Sequence, residues 1–134
     1  MRAYSIGEAA RRSGVKVPTI RYYESIGLLP KPSRLPNNRR TYSDETIRQL
    51  TFVKHARELD FEMNDIASLL KLREQPAQSC QAADQIAQLR LRDIDERLAR
   101  LNDLREELMH MIGACRQQNV RDCRVIEGIE RHPA

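Results

Sequence analysis

The chain has 134 residues, of which 40% are hydrophobic and 31% are charged, and this length and polarity exclude most multidomain enzymes. No apolar run approaches the roughly 20 residues that cross a bilayer, and no apolar signal segment follows the first residues, so we expect a cytoplasmic protein without a membrane partner. The first sixty residues contain twelve Lys and Arg against six Asp and Glu. This excess of positive charge predicts that the amino-terminal half contacts a polyanion such as nucleic acid.

Two short helices are predicted at the amino terminus. The first follows Ser5, which suits an N-cap, and ends at Gly14. The second extends from Val17 to Ile26, with Pro18 in its first turn, where the missing N–H costs little. Two short helices joined by a tight turn that contains glycine form a helix-turn-helix pattern, although helical hairpins of this kind also occur in proteins that bind no DNA.

A basic, proline-rich segment follows the second helix. Residues 28–42 contain three of the six prolines, four basic residues and the pair Asn37-Asn38. Proline and asparagine favour turns, so the segment predicts a two-stranded hairpin with Asn38 in a left-handed conformation at its tip. A basic hairpin after a helix-turn-helix is typical of a DNA-binding wing, and the alternative is a solvated loop.

Two further helices and then a long one are predicted in the rest of the chain. Ser43 opens a third helix, Phe61 to Leu72 form a fourth, and Pro76 interrupts the polar segment after it. A single helix then extends from about Cys80 to Gly113. Its apolar residues follow a heptad repeat, with Leu91, Leu98 and Ile112 at position a and Ala87, Ile94, Leu101 and Leu108 at position d. Such a narrow stripe requires a second helix, so we predict a homodimer through a parallel or antiparallel coiled coil.

Three cysteines define the candidate metal site, because an odd number in a cytoplasmic chain argues against a disulfide framework. Cys115 and Cys123 flank a short polar loop, and two thiolates at the ends of such a loop can bind one ion. Cys80 opens the long helix, so an antiparallel dimer would bring Cys80 of one protomer beside the partner's Cys115 and the partner's Cys123. Three thiolates suit Hg(II), Pb(II) or Cd(II), whereas Zn(II) usually takes a fourth ligand, for which His110 and His132 are candidates.

Catalytic motifs are missing from the sequence. No Ser/His/Asp or Cys/His arrangement has a recognisable spacing, and no phosphate-binding loop occurs among the five glycines. We therefore expect a binding protein rather than an enzyme.

Five sequence segments are spread over nearly the whole chain: YSIGEAARRSGV, VPTIRYYESIGLLP, NNRRTYSDETIRQLTFVKHARELDF and the cysteine-containing SC and ACRQQNVRDC. These segments resemble the MerR family of metal-responsive transcription regulators. The resemblance implies a mainly α fold in three parts. These are a winged helix-turn-helix DNA-binding domain at residues 1–75, a long antiparallel coiled-coil dimerisation helix at 80–113, and a C-terminal metal-binding loop and tail at 114–134.

The resemblance also implies how the protein binds DNA. The second helix is expected to enter the major groove. The wing, with Tyr42 packed beneath it, is expected to bind phosphates. The residues expected to contact DNA are Lys16, Thr19, Arg21, Tyr22 and Tyr23 on the helix and Arg34, Asn37, Arg39 and Arg40 on the wing. Arg39 stands where many members have an aromatic residue, and Asn38 where many have glycine. A homodimer of this family binds double-stranded promoter DNA of metal export or detoxification genes and distorts it when metal binds, which aligns the promoter elements for RNA polymerase.

The identity of the metal is the open part of the resemblance. Cys80 is similar to a cysteine of the divalent-ion sensors, which favours Cd(II), Pb(II), Hg(II) or Zn(II), and the absence of an adjacent Cys-Cys pair favours the first three over Zn(II). The seven residues between Cys115 and Cys123 are instead typical of the copper(I) branch. The alternatives are copper(I) or silver(I) sensing, a drug- or redox-responsive regulator on the same fold, and an architectural DNA-binding dimer without a ligand.

Overall fold

The computed structural model describes residues 3–37, 40–114 and 119–133. The chain divides into two compact units, Met1–Ile86 and Ala87–Ala134. The first unit contains the strands β1 (Ala3–Tyr4), β2 (Ser33–Arg34) and β3 (Arg40–Ser43) and the helices α1 (Ile6–Ser13), α2 (Val17–Ser25), α3 (Asp44–Glu58) and α4 (Met63–Arg73). Helix α5 (Gln81–Ala114) begins in the first unit and continues through the second, which also contains a 3₁₀ turn (Val120–Asp122) and α6 (Arg124–Arg131). The predicted mainly helical fold, with a helix-turn-helix and one long helix, is therefore confirmed.

The ends of α1 and α2 fix the turn between these helices. The Ser5 hydroxyl accepts a hydrogen bond from the Glu8 backbone N–H at 3.2 Å, which caps α1 as predicted. Gly14 ends α1 with a φ of 76°, a left-handed conformation that favours glycine. α2 has Pro18 in its first turn and ends at Ser25, one residue before the expected end.

A small antiparallel sheet contains the wing. β3 is the central strand, with β1 on one side and β2 on the other. Ser33 pairs with Thr41, whose hydroxyl also donates to the Ser33 carbonyl at 3.1 Å. β2 and β3 form the hairpin that the basic segment predicts, whereas β1 was not predicted, because a two-residue strand is too short to show alternation. The expected left-handed tip at Asn38 lies outside the described residues, as does Arg39.

One core supports the helix-turn-helix and the sheet. Ser43 caps α3, because its hydroxyl accepts a hydrogen bond from the Thr46 backbone N–H at 3.2 Å. Asp60, with a φ of 67°, turns the chain into α4, which begins at Met63 rather than at the expected Phe61. The largest fully buried side chains are Ile20, Tyr42, Leu50, Val53 and Ile66. They come from α2, β3, α3 and α4, so the same core positions the second helix and the wing.

The second unit contains a helix that the sequence did not predict. α6 occupies part of the segment for which only a loop and a tail were expected, because eight residues are too few to make helical periodicity evident. It packs closely on the end of α5 at Gly128, where an added Cβ would lie 2.5 Å from the terminal carbon of Met111. His132 Nδ1 lies 3.1 Å from a carboxylate oxygen of Glu107. Both contacts connect α6 to the last turns of α5.

The apolar stripe of α5 is exposed in the single chain. More than half of each side chain's surface is accessible at Leu91, Leu98, Leu101, Leu108 and Ile112. An exposed heptad stripe of this kind fits a coiled coil, in which a second helix covers it. Among the described residues, no helix has both the length and the apolar character that crossing a membrane requires.

Candidate nucleic-acid interface and metal-binding cysteines

One face of α2 is turned away from the core. Lys16 and Arg21 are exposed, Thr19 is partly exposed, and Tyr22 is 55% exposed. Tyr23 differs, because it is only 8% exposed and belongs to the core cluster. Four of the five predicted helix contacts are therefore accessible to a ligand, and the main contribution of Tyr23 is to hold the helix on the core.

A basic groove of about 420 Å³ borders this face and is called the wing groove. Its basic lining consists of Arg21 of α2, Lys31, and Arg34 and Arg40 of the wing strands. Within the described ranges, Arg21 and Lys31 form no ion pair. Asn37, at the end of the described part of the wing, is exposed. The wing groove therefore offers positive charge that the protein itself does not neutralise, which suits a phosphate.

Glu24 joins α2 to the wing. One of its carboxylate oxygens accepts a hydrogen bond from the Tyr42 hydroxyl at 2.5 Å, and the other accepts one from Arg40 Nη1 at 2.9 Å. The Glu24 side chain is only 7% exposed. Arg40, which is expected to grip a DNA phosphate, directs its guanidinium at Glu24 and stays about one-third exposed in the wing groove, so it also holds the wing in place. Sequence reasoning missed both contacts of Glu24, because Arg40 and Tyr42 are 16 and 18 positions away and no local pattern connects them to it.

The buried hydroxyl of Tyr42 makes the fold sensitive to alkaline pH. Burial, and then the hydrogen bond to Glu24, raises the pKa of Tyr42 to about 12. A raised pKa stabilises the folded state fully below the pKa of an unfolded tyrosine, about 10, and this stabilisation is lost as the pH rises toward 12. We therefore expect the free energy of unfolding to fall between these two values, and to fall less steeply in Tyr42→Phe.

Urea unfolding followed by circular dichroism at each pH measures this difference. Tyr22→Phe, which removes an exposed hydroxyl, is the matched control and should keep the slope of the native chain. The same slope in the native chain and in Tyr42→Phe would contradict the assignment.

The described cysteines precede two helices. Cys80 lies directly before α5 and is exposed, and Cys123 lies directly before α6 and is partly exposed. Cys115 lies outside the described residues. Both described cysteines carry the soft sulfur donor that thiophilic ions prefer.

The two candidate histidines lie near the end of α5. His110 and His132 line a cleft of about 860 Å³ between α5 and α6, where His132 contacts Glu107. In the part of the chain that the structure describes, no three His, Cys, Asp or Glu side chains converge to hold an ion. A site with three protein ligands would therefore need Cys115, which lies outside the described residues, or ligands from a second protomer.

A helix-turn-helix with a wing and accessible basic side chains along its second helix defines a DNA-binding regulatory protein rather than an enzyme. A sequence model described as "MerR HTH family regulatory protein" matches residues 4–72, and a second, described as "MerR, DNA binding", matches residues 47–111. The chain belongs to the MerR family of transcription regulators.

Relatives of the chain match it over nearly its whole length. The HTH-type transcriptional regulator HmrR of Rhizobium leguminosarum bv. viciae is 37% identical over 123 residues, which are 92% of this chain and 95% of the relative. The mercuric resistance operon regulatory protein of Bacillus cereus is 34% identical over 125 residues, which are 92% of this chain and 95% of the relative. The crystal structure of the transcription regulator PbrR691 from Ralstonia metallidurans CH34 in complex with lead(II) has a TM-score of 0.81 at 30% identity and covers 96% of this chain and 98% of that one.

Proposed function

We propose that this protein is a metal-responsive transcription regulator that binds promoter DNA as a homodimer and activates genes for metal export or detoxification. The observation that carries the proposal is the position of two cysteines, Cys80 directly before α5 and Cys123 directly before α6, in a chain whose first unit contains a basic winged helix-turn-helix. The relatives named for mercuric resistance and solved with lead(II) support a heavy-metal effector.

The proposed DNA contacts follow from the exposed face of α2. A helix about 10–12 Å wide fits the major groove, which is about 12 Å wide, so α2 can enter it. The helix residues proposed to contact bases or phosphates are Lys16, Thr19, Arg21 and Tyr22. The wing residues proposed to contact phosphates are Arg34, Asn37, Arg39 and Arg40. Glu24 and Arg40 hold the wing in register with α2 during binding.

The exposed stripe of α5 supports the homodimer. A second copy of α5 would cover Leu91, Leu98 and Leu101, each of which is more than half exposed in the single chain. In an antiparallel arrangement, Cys80 would meet the partner's Cys115 and the partner's Cys123. A stable monomer at micromolar concentration in analytical ultracentrifugation would refute the dimer and the shared site together.

Cys80, Cys115 and Cys123 are the proposed ligands of a thiophilic divalent ion, which is Cd(II), Pb(II), Hg(II) or Zn(II). When bound, the ion would hold the three thiolates together and so connect the two protomers. The DNA-binding units of the dimer would then impose a new shape on a promoter whose spacer is too long, which aligns the elements that RNA polymerase reads. In this scheme the protein acts on polymerase through the DNA.

Two measurements on the reduced, anaerobic protein test the proposal. Titration with Cd(II), Pb(II), Hg(II), Zn(II) and Cu(I) should give a thiolate-to-metal absorption band with a divalent ion, and Cys80→Ser should change that band. Transcription in vitro from a promoter with an overlong spacer should rise with the same ion. A band unchanged in Cys80→Ser, together with a transcriptional response to Cu(I), would establish the two-thiolate copper alternative. A response to an oxidant without any metal would establish the redox alternative.

A further inference from the structure

A second basic groove borders α2 and is called the turn groove. It has a volume of about 370 Å³, and its polar lining consists of Lys16, Thr19, Lys54, Arg57 and Glu58. Lys54 and Arg57 of this set lie on α3, a helix that the sequence pattern indicates only as part of the core. On the basis of the proposed DNA-binding function, we propose that Lys54, together with Lys16, binds a phosphate of the DNA backbone on the side of α2 opposite the wing.

The two grooves lie on opposite sides of the exposed face of α2. Successive helical residues are rotated by about 100°, which places Thr19 at one edge of the face and Arg21 and Glu24 at the other, with Tyr22 between. The turn groove includes Thr19, and the wing groove includes Arg21 and Glu24. A helix inserted in the major groove has a sugar-phosphate backbone on either side of it, so both grooves would face phosphates.

Lys54 is held at the helix-turn-helix turn by its surroundings. The side chain is half-buried, so its position is restricted by packing. A Cβ added to Gly14 would lie 2.5 Å from Lys54 Nζ, so the ammonium group rests against the backbone of the turn. Gly14 is two positions before Lys16, and both amines therefore border the amino-terminal end of α2. A phosphate placed there would meet two cations and the positive end of the α2 dipole.

The protein leaves these charges unneutralised while it pairs most others. In the first unit, Glu8 pairs with Arg11 and Arg12, and Glu45 pairs with Arg48 and Arg73. The described Lys and Arg residues of this unit that have no ion pair include Lys16, Arg21, Lys31, Lys54, Arg57 and Lys71. All of these except Lys71 line one of the two grooves. Arg57 donates weakly to the Phe61 carbonyl at 3.5 Å, and Glu58, the carboxylate in the turn groove, pairs with neither Lys54 nor Arg57.

The salt dependence of DNA binding tests the inference. The logarithm of the DNA affinity falls linearly with the logarithm of the salt concentration, and removing one cation that neutralises a phosphate makes this negative slope shallower by about 0.9. Lys54→Met keeps the packed stem and removes the charge. We expect it to make the slope shallower by about this amount per protomer, equally on promoter DNA and on a mixed-sequence duplex. Lys54→Arg should restore the slope. Lys71→Met removes an unpaired lysine outside both grooves and should leave the slope of the native chain unchanged.

The outcomes separate this inference from the function on which it rests. If the native chain binds neither duplex at low salt, the proposed function is wrong. If Arg21→Ala lowers the slope and Lys54→Met does not, the protein binds DNA and the inference about the turn groove is overturned. If Lys54→Met and Lys71→Met made the salt slope shallower by the same amount, the inference would also be overturned, because the change would then reflect the net charge of the protein and not a contact in the turn groove. Thermal melting by circular dichroism must show each variant folded before its slope is compared.

Discussion

Cys123→Ser is expected to abolish the metal response and to leave DNA binding intact. Loss of partners that merely support metal ligands costs about 10–100-fold in affinity, so loss of a thiolate ligand should cost more than about 100-fold. Cys123 lies in the second unit, whereas the exposed face of α2 belongs to the first. Metal titration by thiolate absorption and promoter binding by fluorescence anisotropy measure the two properties separately on the same preparation.

Arg21→Ala is the matched variant with the reverse effect. It should weaken promoter binding and leave the metal affinity unchanged, because Arg21 lines the wing groove and is not a proposed metal ligand. If both variants lost both functions to a similar degree, the assignment of DNA binding to the first unit and of metal binding to Cys123 would be wrong.

Glu24→Ala is expected to lower the free energy of unfolding by about 2–3 kcal/mol. The substitution leaves the buried Tyr42 hydroxyl without its acceptor, and an unsatisfied buried polar group costs about 1–3 kcal/mol. It also leaves Arg40, which is about one-third exposed, without its carboxylate, and this second loss is smaller because water can reach the guanidinium. Thermal and urea unfolding at a fixed protein concentration measure the change, since a dimer's stability depends on concentration.

Glu24→Gln is the control for that prediction. The amide oxygen can still accept the Tyr42 hydrogen bond while the negative charge is removed, so the loss should be about 1 kcal/mol. The promoter affinity of Glu24→Ala should also fall, because the wing loses its attachment to α2. Native stability in Glu24→Ala would mean that the buried carboxylate does not join these elements.

Local sequence signals were sufficient to predict the helix-turn-helix. The helix ends are marked by residues whose effect is local: an N-cap at Ser5 and at Ser43, a C-cap at Gly14 and a first-turn proline at Pro18. Each of these residue types strongly favours its position at a helix end. The heptad stripe was evident for a similar reason, because 34 helical residues repeat the same spacing several times. In contrast, α6 contains eight residues and β1 two, which is too little chain for any period to stand out.

The candidate site was only partly predictable, because its arrangement depends on contacts between distant residues. The basic residues of α2 and the wing were identifiable by type and position, but their ion pairs were not. Arg40 and Arg21 look equivalent in the sequence, yet Arg40 is paired with Glu24 and Arg21 has no ion pair within the described ranges. Lys54 resembles any lysine on a helix, and its position over Gly14 is evident only when α1 and α3 are packed together. Tertiary packing therefore decides which charges remain for a ligand.

The close contact at Gly128 bears on how Cys123 is positioned. Gly128 is five positions after Cys123, which corresponds to about 7.5 Å along a helix. An added Cβ at position 128 would lie 2.5 Å from the terminal carbon of Met111, so a larger residue there would displace that side chain or shift α6. The placement of a proposed metal ligand at the start of α6 therefore depends in part on a glycine further along the same helix.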